Sequence, residues 1–139
     1  MLLRKYMSLL GIGSAQVDLM LSKEVFRPGE YVEGYFQIHG GLIEQEMKRL
    51  ECDLVKINLY DDSEEVIDSI TILTSKKVDS DESNQISFHF KLPDHIAPSS
   101  ALVSYRFKTR LIFQQGVKSI DQDVIQVLHE MGEGDEEAF

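Results

Sequence analysis

The sequence predicts an all-β protein, an antiparallel β-sandwich preceded by one short helix. Two segments carry this prediction because apolar and polar residues alternate along each of them, Ile86–Leu92 and Val103–Phe113. Successive side chains of a strand point to opposite faces of a sheet, so each segment buries one face and exposes the other to water. Pro93 ends the first segment, since proline has no N–H to give to a neighbouring strand.

The remaining strands are separated by polar turns, and we place them at Val17–Leu21, Val32–Ile38, Met47–Tyr60, 66–74 and 123–128. Pro28 and Gly29 suit the central positions of a type II turn, where φ is fixed at the first residue and positive at the second. Gly34 indicates a bulge or close packing. The apolar phase changes after Leu54, which predicts a bulge or a strand that passes between sheets. Seven or eight short strands are typical of a β-sandwich.

The first residues follow helical spacing instead, and we expect a helix whose apolar residues contact a partner protein or a second copy: Leu2, Leu3, Tyr6, Leu9 and Leu10. The expected organisation is helix and linker over 1–14, sandwich over 15–128, and an acidic disordered tail over 129–139. A membrane-surface anchor is the alternative role for the helix, although its two bases attract anionic lipid only weakly.

Charge and cysteine content limit the classes of function. The formal net charge is −10, and five acids with no base follow Leu128. An acidic chain argues against nucleic-acid binding, which relies on Lys and Arg that neutralise phosphates. No apolar run is long enough to span a bilayer. The single cysteine, Cys52, cannot form an internal disulfide, and we interpret it as a small core residue of a cytoplasmic protein.

Motifs for catalysis or cofactor binding are weak in this sequence. The four histidines share no metal-ligand spacing. Asp79–Asn84 resembles the start of a calcium loop but lacks the glycine at the sixth position. Ser99 and Ser100 have no Gly-x-Ser-x-Gly turn around them. We therefore predict no enzyme activity and no cofactor, with cation binding by Asp121 and Asp123 left as an open alternative.

One charged feature suggests a binding surface. Arg106, Lys108 and Arg110 form a basic stripe along the polar face of one predicted strand. Acids on neighbouring strands would neutralise such a face. Alternatively, the stripe binds an anion or an acidic peptide, and the tail acids within Glu133–Glu137 are a ligand that the chain itself supplies.

Two groups of residues resemble a known family, the M type of the bacterial stage-zero sporulation-control proteins. The first group is Gly11-Ile12-Gly13-Ser14-Ala15, Val17-Asp18, Pro28-Gly29-Glu30, Val32, Gly34 and Gly40-Gly41. The second group resembles the arrestin-like amino-terminal domain of that family: Phe88, Phe90, Leu92-Pro93, Pro98-Ser99-Ser100, Ile120-Asp121, Asp123-Val124-Ile125 and Val127. The resemblance covers residues 8–128.

This resemblance implies an arrestin-like, immunoglobulin-like sandwich in the cytoplasm that acts as a non-enzymatic regulator or adaptor through protein contacts. The family usually pairs two sandwiches, whereas this chain has room for one, so a homodimer is expected to supply the missing half. The phosphate-sensing residues of arrestins cannot be carried over position by position. A small-ligand sandwich, binding a carbohydrate or a cation through the acidic loops, is the alternative function.

Overall fold

A computed structural model describes residues 13–129, and this part of the chain contains strands and turns but no helix. The nine strands are β1 (Gln16–Leu21), β2 (Val25–Phe26), β3 (Tyr31–His39), β4 (Gln45–Asn58), β5 (Ser63–Leu73), β6 (Lys77–Val78), β7 (Ser83–Lys91), β8 (Val103–Phe113) and β9 (Lys118–Val127). The all-β prediction is confirmed. The helix expected in the first residues and the acids of the expected tail lie outside the described residues.

The strands form two sheets of unequal width. The smaller sheet has the order β1-β3-β7, and the larger has the order β2-β9-β8-β4-β5, with β6 paired to the beginning of β4. Neighbours are antiparallel except for β2, which runs parallel to β9. The short β2 and β6 were not predicted, because two residues are too few to show an alternating pattern.

Phenylalanine rings join the two sheets at the centre of the core. The Phe88 ring of β7 meets the Phe107 ring of β8 with centroids 5.3 Å apart and planes at 83°. Phe36 and Phe90 complete the group, with Phe36 5.2 Å from Phe88 and Phe90 5.2 Å from Phe107. Edge-to-face contacts of this kind are favourable beyond the burial of apolar area. Alternation in the two strongest predicted strands thus reflects their central place in the core.

The structure confirms two local predictions and changes a third. Gly29 has φ of 76°, and the Glu30 N–H donates to the Arg27 carbonyl at 3.1 Å, which closes the predicted turn. A Cβ added to Gly34 would lie 2.0 Å from the Met20 carbonyl oxygen of β1, so this glycine allows close packing of two strands. A bulge does lie opposite Leu54 and Val55, but its extra residue is Ile67 of β5, whereas β4 keeps its register with β8 at this point. The phase change in β4 therefore reflects burial of Val55 and Ile57 on the outer face of the sheet.

The last strand begins earlier than predicted. We expected a strand over 123–128, whereas β9 starts at Lys118. The first half of β9 turns Ser119, Asp121 and Asp123 to the same face as the buried Ile125, and these polar residues hide the strand from a search for apolar alternation.

Candidate functional site

The basic stripe of β8 lies on the outer face of the larger sheet, where acids of neighbouring strands meet most of it. The Nε of Arg110 donates to the Oε1 of Glu51 at 2.9 Å, and its Nη2 donates to the Oδ2 of Asp53 at 3.1 Å. Lys108 pairs with Glu64 of β5. The neutralising acids expected on a solvated sheet face are therefore present along two of the three bases.

Arg106 differs from the other two members of the stripe. Its Nη1 donates to the Oε1 of Gln122 at 3.3 Å, whereas its Nε is buried and has no hydrogen-bond partner. Val55, directly opposite in β4, is buried beside it. Arg106 thus keeps a free donor on an otherwise neutralised face.

The N-terminal residues predicted to contact a partner lie outside the described part of the chain, so their role stays a prediction.

A second polar cluster lies where the two sheets meet along β1 and β9. The Val17 N–H of β1 donates to the Oγ of Ser119 at 3.1 Å, and the Leu19 N–H donates to the Oδ2 of Asp121 at 2.8 Å. On its other edge β1 pairs with β3 through an ordinary backbone ladder. Side chains of β9 therefore stand in for the backbone partners that β1 would otherwise lack on this edge.

Three carboxylates gather at this junction, Asp18 from β1 with Asp121 and Asp123 from β9. One carboxylate oxygen from each lies within 4.8 Å of the others. Burial is the largest cause that raises the pKa of Asp123 to about 7, and the charges of Asp121, Asp18 and Glu24 add to it. The pKa of Asp18 is raised as well, chiefly by burial and then by Asp121, while His39 acts in the opposite direction.

A cleft of about 380 Å³ opens beside the carboxylates, lined by both strands and by Glu24. The Oδ2 of Asp123 is buried there without a hydrogen-bond partner. Of the residues described, only Asp18, Asp121 and Asp123 bring three carboxylates this close. They suit a divalent cation poorly, because the Asp121 oxygen already accepts the Leu19 N–H and calcium takes six to eight oxygens. We therefore assign no metal here.

Part of this cluster was predicted from the sequence, and part was not. Asp121 and Asp123 were predicted to share one strand face, and they do. Asp18 was not connected with them, since it approaches from a strand about a hundred residues earlier in the chain. The signal that could have identified an inward acidic face is the phase that Asp121 and Asp123 share with Ile125 and Val127.

Cys52 is confirmed as a core residue. Its side chain is fully buried, and the Thr109 hydroxyl donates to its sulfur at 3.5 Å. Burial raises the pKa of the Cys52 thiol to about 12, so the thiol stays neutral at physiological pH. Because the thiolate is the reactive form, the site offers no nucleophile at this position.

The side of the sandwich opposite the β1–β9 junction is open. β7 ends the smaller sheet and β5 ends the larger one. β1 stands beside β9, whereas β5 and β7 are the free edge strands at the other ends of their sheets. The side chains that pack against the core from this open side are only partly buried: Ile67, Ile70 and Ile72 of β5 and Ile86 of β7.

Over residues 13–129, no helix has the length and apolar character needed to cross a membrane.

Comparison with known proteins agrees with this architecture. The family model described as "SpoOM protein", of the Spo0M family, matches residues 3–132. The chain belongs to the Spo0M family. The sporulation-control protein Spo0M of Bacillus subtilis (strain 168) is 32% identical over 123 residues, which are 84% of this chain and 48% of the relative. The crystal structure of B. subtilis Spo0M matches with a TM-score of 0.75 and 30% identity, over 90% of this chain and 53% of that one.

The chain thus spans about half the length of the Spo0M relatives that it matches. The predicted family is confirmed.

Proposed function

We propose that this chain is a non-enzymatic adaptor of the sporulation-control, arrestin-like type, which binds another protein chain at the open side formed by β5 and β7. Family membership supports the regulatory role, and the free edges of β5 and β7 with their half-buried isoleucines are the observation that carries the binding mode. Such a role places the chain in the cytoplasm, where an unpaired cysteine is ordinary.

Strand edges bind protein chains by a simple mechanism. An edge presents a row of unpaired N–H and C=O groups, and an added strand satisfies them while its side chains enter neighbouring pockets. β5 offers eleven residues for such pairing, from Ser63 to Leu73. A strand added here would also cover Ile70 and Ile72, which the smaller sheet leaves only partly buried. Backbone pairing would give affinity, and the isoleucines would give register.

The length of the relatives is consistent with this use of the open side. They carry about as much chain again as the part that this protein matches. A second sandwich supplied by a partner, or by another copy of this chain, would shield the apolar residues that one sandwich alone exposes. In the homodimer the two open sides would face each other.

The test is a charge placed at the open side. Ile70→Lys adds a charge to the half-buried face of β5, and Leu73→Lys is the matched control because Leu73 is 80% exposed on the same strand. We expect Ile70→Lys to abolish self-association in sedimentation and partner capture from host lysate, while Leu73→Lys keeps them. The proposal fails if both variants keep every partner of the wild type, or if the wild type shows no protein contact at all.

A further inference from the structure

The β1–β9 junction carries a second inference, independent of how the open side is used. We propose that it is a proton-dependent latch, in which a proton held between Asp123 and Asp121 keeps β1 against β9, and loss of that proton above neutral pH loosens the contact. The latch consists of Ser119, Asp121 and Asp123 on β9 with Asp18 and the Leu19 N–H on β1.

β1 is attached to β9 in an unusual way. Two side chains of β9, two residues apart, accept hydrogen bonds from N–H groups of β1. The Oγ of Ser119 accepts from the Val17 N–H at 3.1 Å, and the Oδ2 of Asp121 accepts from the Leu19 N–H at 2.8 Å. Asp123 comes next on the same face of β9, yet its buried Oδ2 accepts no hydrogen bond. A buried carboxylate oxygen left without a donor is costly, whereas a carboxyl group that carries a proton is itself a donor.

The acceptor for that proton is Asp121, because its carboxylate neighbours that of Asp123 and a side-chain hydrogen bond between the two is, after burial, the largest cause that raises the pKa of Asp123. A proton on Asp123 therefore links Asp123 to Asp121, and Asp121 in turn holds the Leu19 N–H of β1. Without the proton, like charges face one another in a partly buried site, which two neighbouring carboxylates avoid.

The groups around Asp123 all favour the proton. Asp18 faces it from β1, Asp121 from the same strand and Glu24 from the segment between β1 and β2, and each of these acids raises the pKa of Asp123. On β4, the neutral Cys52 thiol lies behind the site, and its pKa is in turn raised by the charge of Asp123. His39 of β3 acts on Asp18 only in the direction of ionisation.

The sign of the pH effect follows from these shifts. The pKa of Asp123 is about 7 in the folded chain against an ordinary 3.8, so the folded state keeps the proton over a range in which the unfolded chain has lost it. The stabilisation is complete below about pH 4 and disappears as pH rises through about 7. The difference between the two pKa values corresponds to roughly thousandfold tighter proton binding in the folded chain, which is the upper limit of the effect. Because Asp123 is only partly buried, we expect the unfolding equilibrium constant to change by roughly tenfold over this pH range.

The experiment compares the wild type with Asp123→Asn, which keeps a donor but cannot ionise. Asp62→Asn is the matched control, since Asp62 is exposed in a turn with φ of 59°, a conformation that asparagine tolerates. Between about pH 5 and pH 8 we expect the folding equilibrium constant of the wild type and of Asp62→Asn to fall roughly tenfold. The folding equilibrium constant of Asp123→Asn should not show this fall. The Leu19 amide should lose hydrogen-exchange protection in the same range in the wild type and in Asp62→Asn, but not in Asp123→Asn.

Three results would overturn the proposal. The first is a carboxyl-carbon NMR titration of the wild type that places the Asp123 transition below about pH 5, a result that does not depend on whether the variant folds. The second is an Asp123→Asn profile that follows the wild type. The third is restoration of Leu19 protection at high pH by Ca²⁺ or Mg²⁺ in the wild type, because a cation and not a proton would then close the junction.

Discussion

Replacing Phe88 and Phe107 by leucine, singly and together, tests whether the ring contact between the sheets stabilises the fold beyond apolar burial. Both side chains are fully buried, and their centroids lie 5.3 Å apart in an edge-to-face arrangement. Leucine keeps much of the apolar area but has no ring quadrupole. We expect each single substitution to lower the free energy of unfolding by about 1–3 kcal/mol, with about 0.5–1.5 kcal/mol of coupling between the two sites.

Urea unfolding of the wild type, both single variants and the double variant gives the coupling from a double-mutant cycle. Phe113 supplies the control cycle with Phe88, because it is fully buried and makes no ring contact with Phe88 within residues 13–129. Distant sites usually add to within about 0.5 kcal/mol. A Phe88–Phe107 coupling no larger than the Phe88–Phe113 coupling would refute the reasoning.

Two further predictions concern the backbone and the thiol. Gly34→Ala should lower the free energy of unfolding by about 3 kcal/mol, since its Cβ would lie 2.0 Å from the Met20 carbonyl oxygen. Gly116→Ala has open space around it and should lower the free energy of unfolding by a smaller amount, which comes from its positive φ alone. Equal decreases for the two variants in urea unfolding would contradict this prediction. Cys52 should react with a disulfide reagent at about pH 8 only as fast as the chain unfolds, because its pKa is raised to about 12. Rapid labelling of the folded chain, measured against the chain in guanidinium, would show that the thiol is accessible.

The parts of the fold that could be predicted are those in which burial and side-chain chemistry agree. β7 and β8 lie at the aromatic centre of the core, so their inward residues are apolar and their pattern is plain. The turn at Gly29 was predictable because its backbone conformation needs a glycine. In β7 and β8 the place in the core decides the residue type, and at Gly29 the backbone conformation of the turn does.

The candidate site resisted prediction for the opposite reason. In the first half of β9 the inward residues are polar because they bond to the β1 edge, so the pattern resembles a loop. The carboxylate that Asp18 brings to Asp121 comes from the far end of the sequence, and no local pattern encodes that meeting. The basic stripe shows a similar limit, because the acids that neutralise Arg110 come from a strand nearly sixty residues earlier.

The unequal sealing of the two sides limits the assemblies that this fold can build. At the β1–β9 side, side chains of β9 occupy the N–H groups of Val17 and Leu19, and the outermost strand of the larger sheet, β2, has only two residues. Very short or covered edges do not template further strands. In the part of the chain that the structure describes, long free edges occur on one side only. When two copies associate through this side, each covers the free edges of the other. Their association therefore stops at a dimer and does not propagate into a fibre.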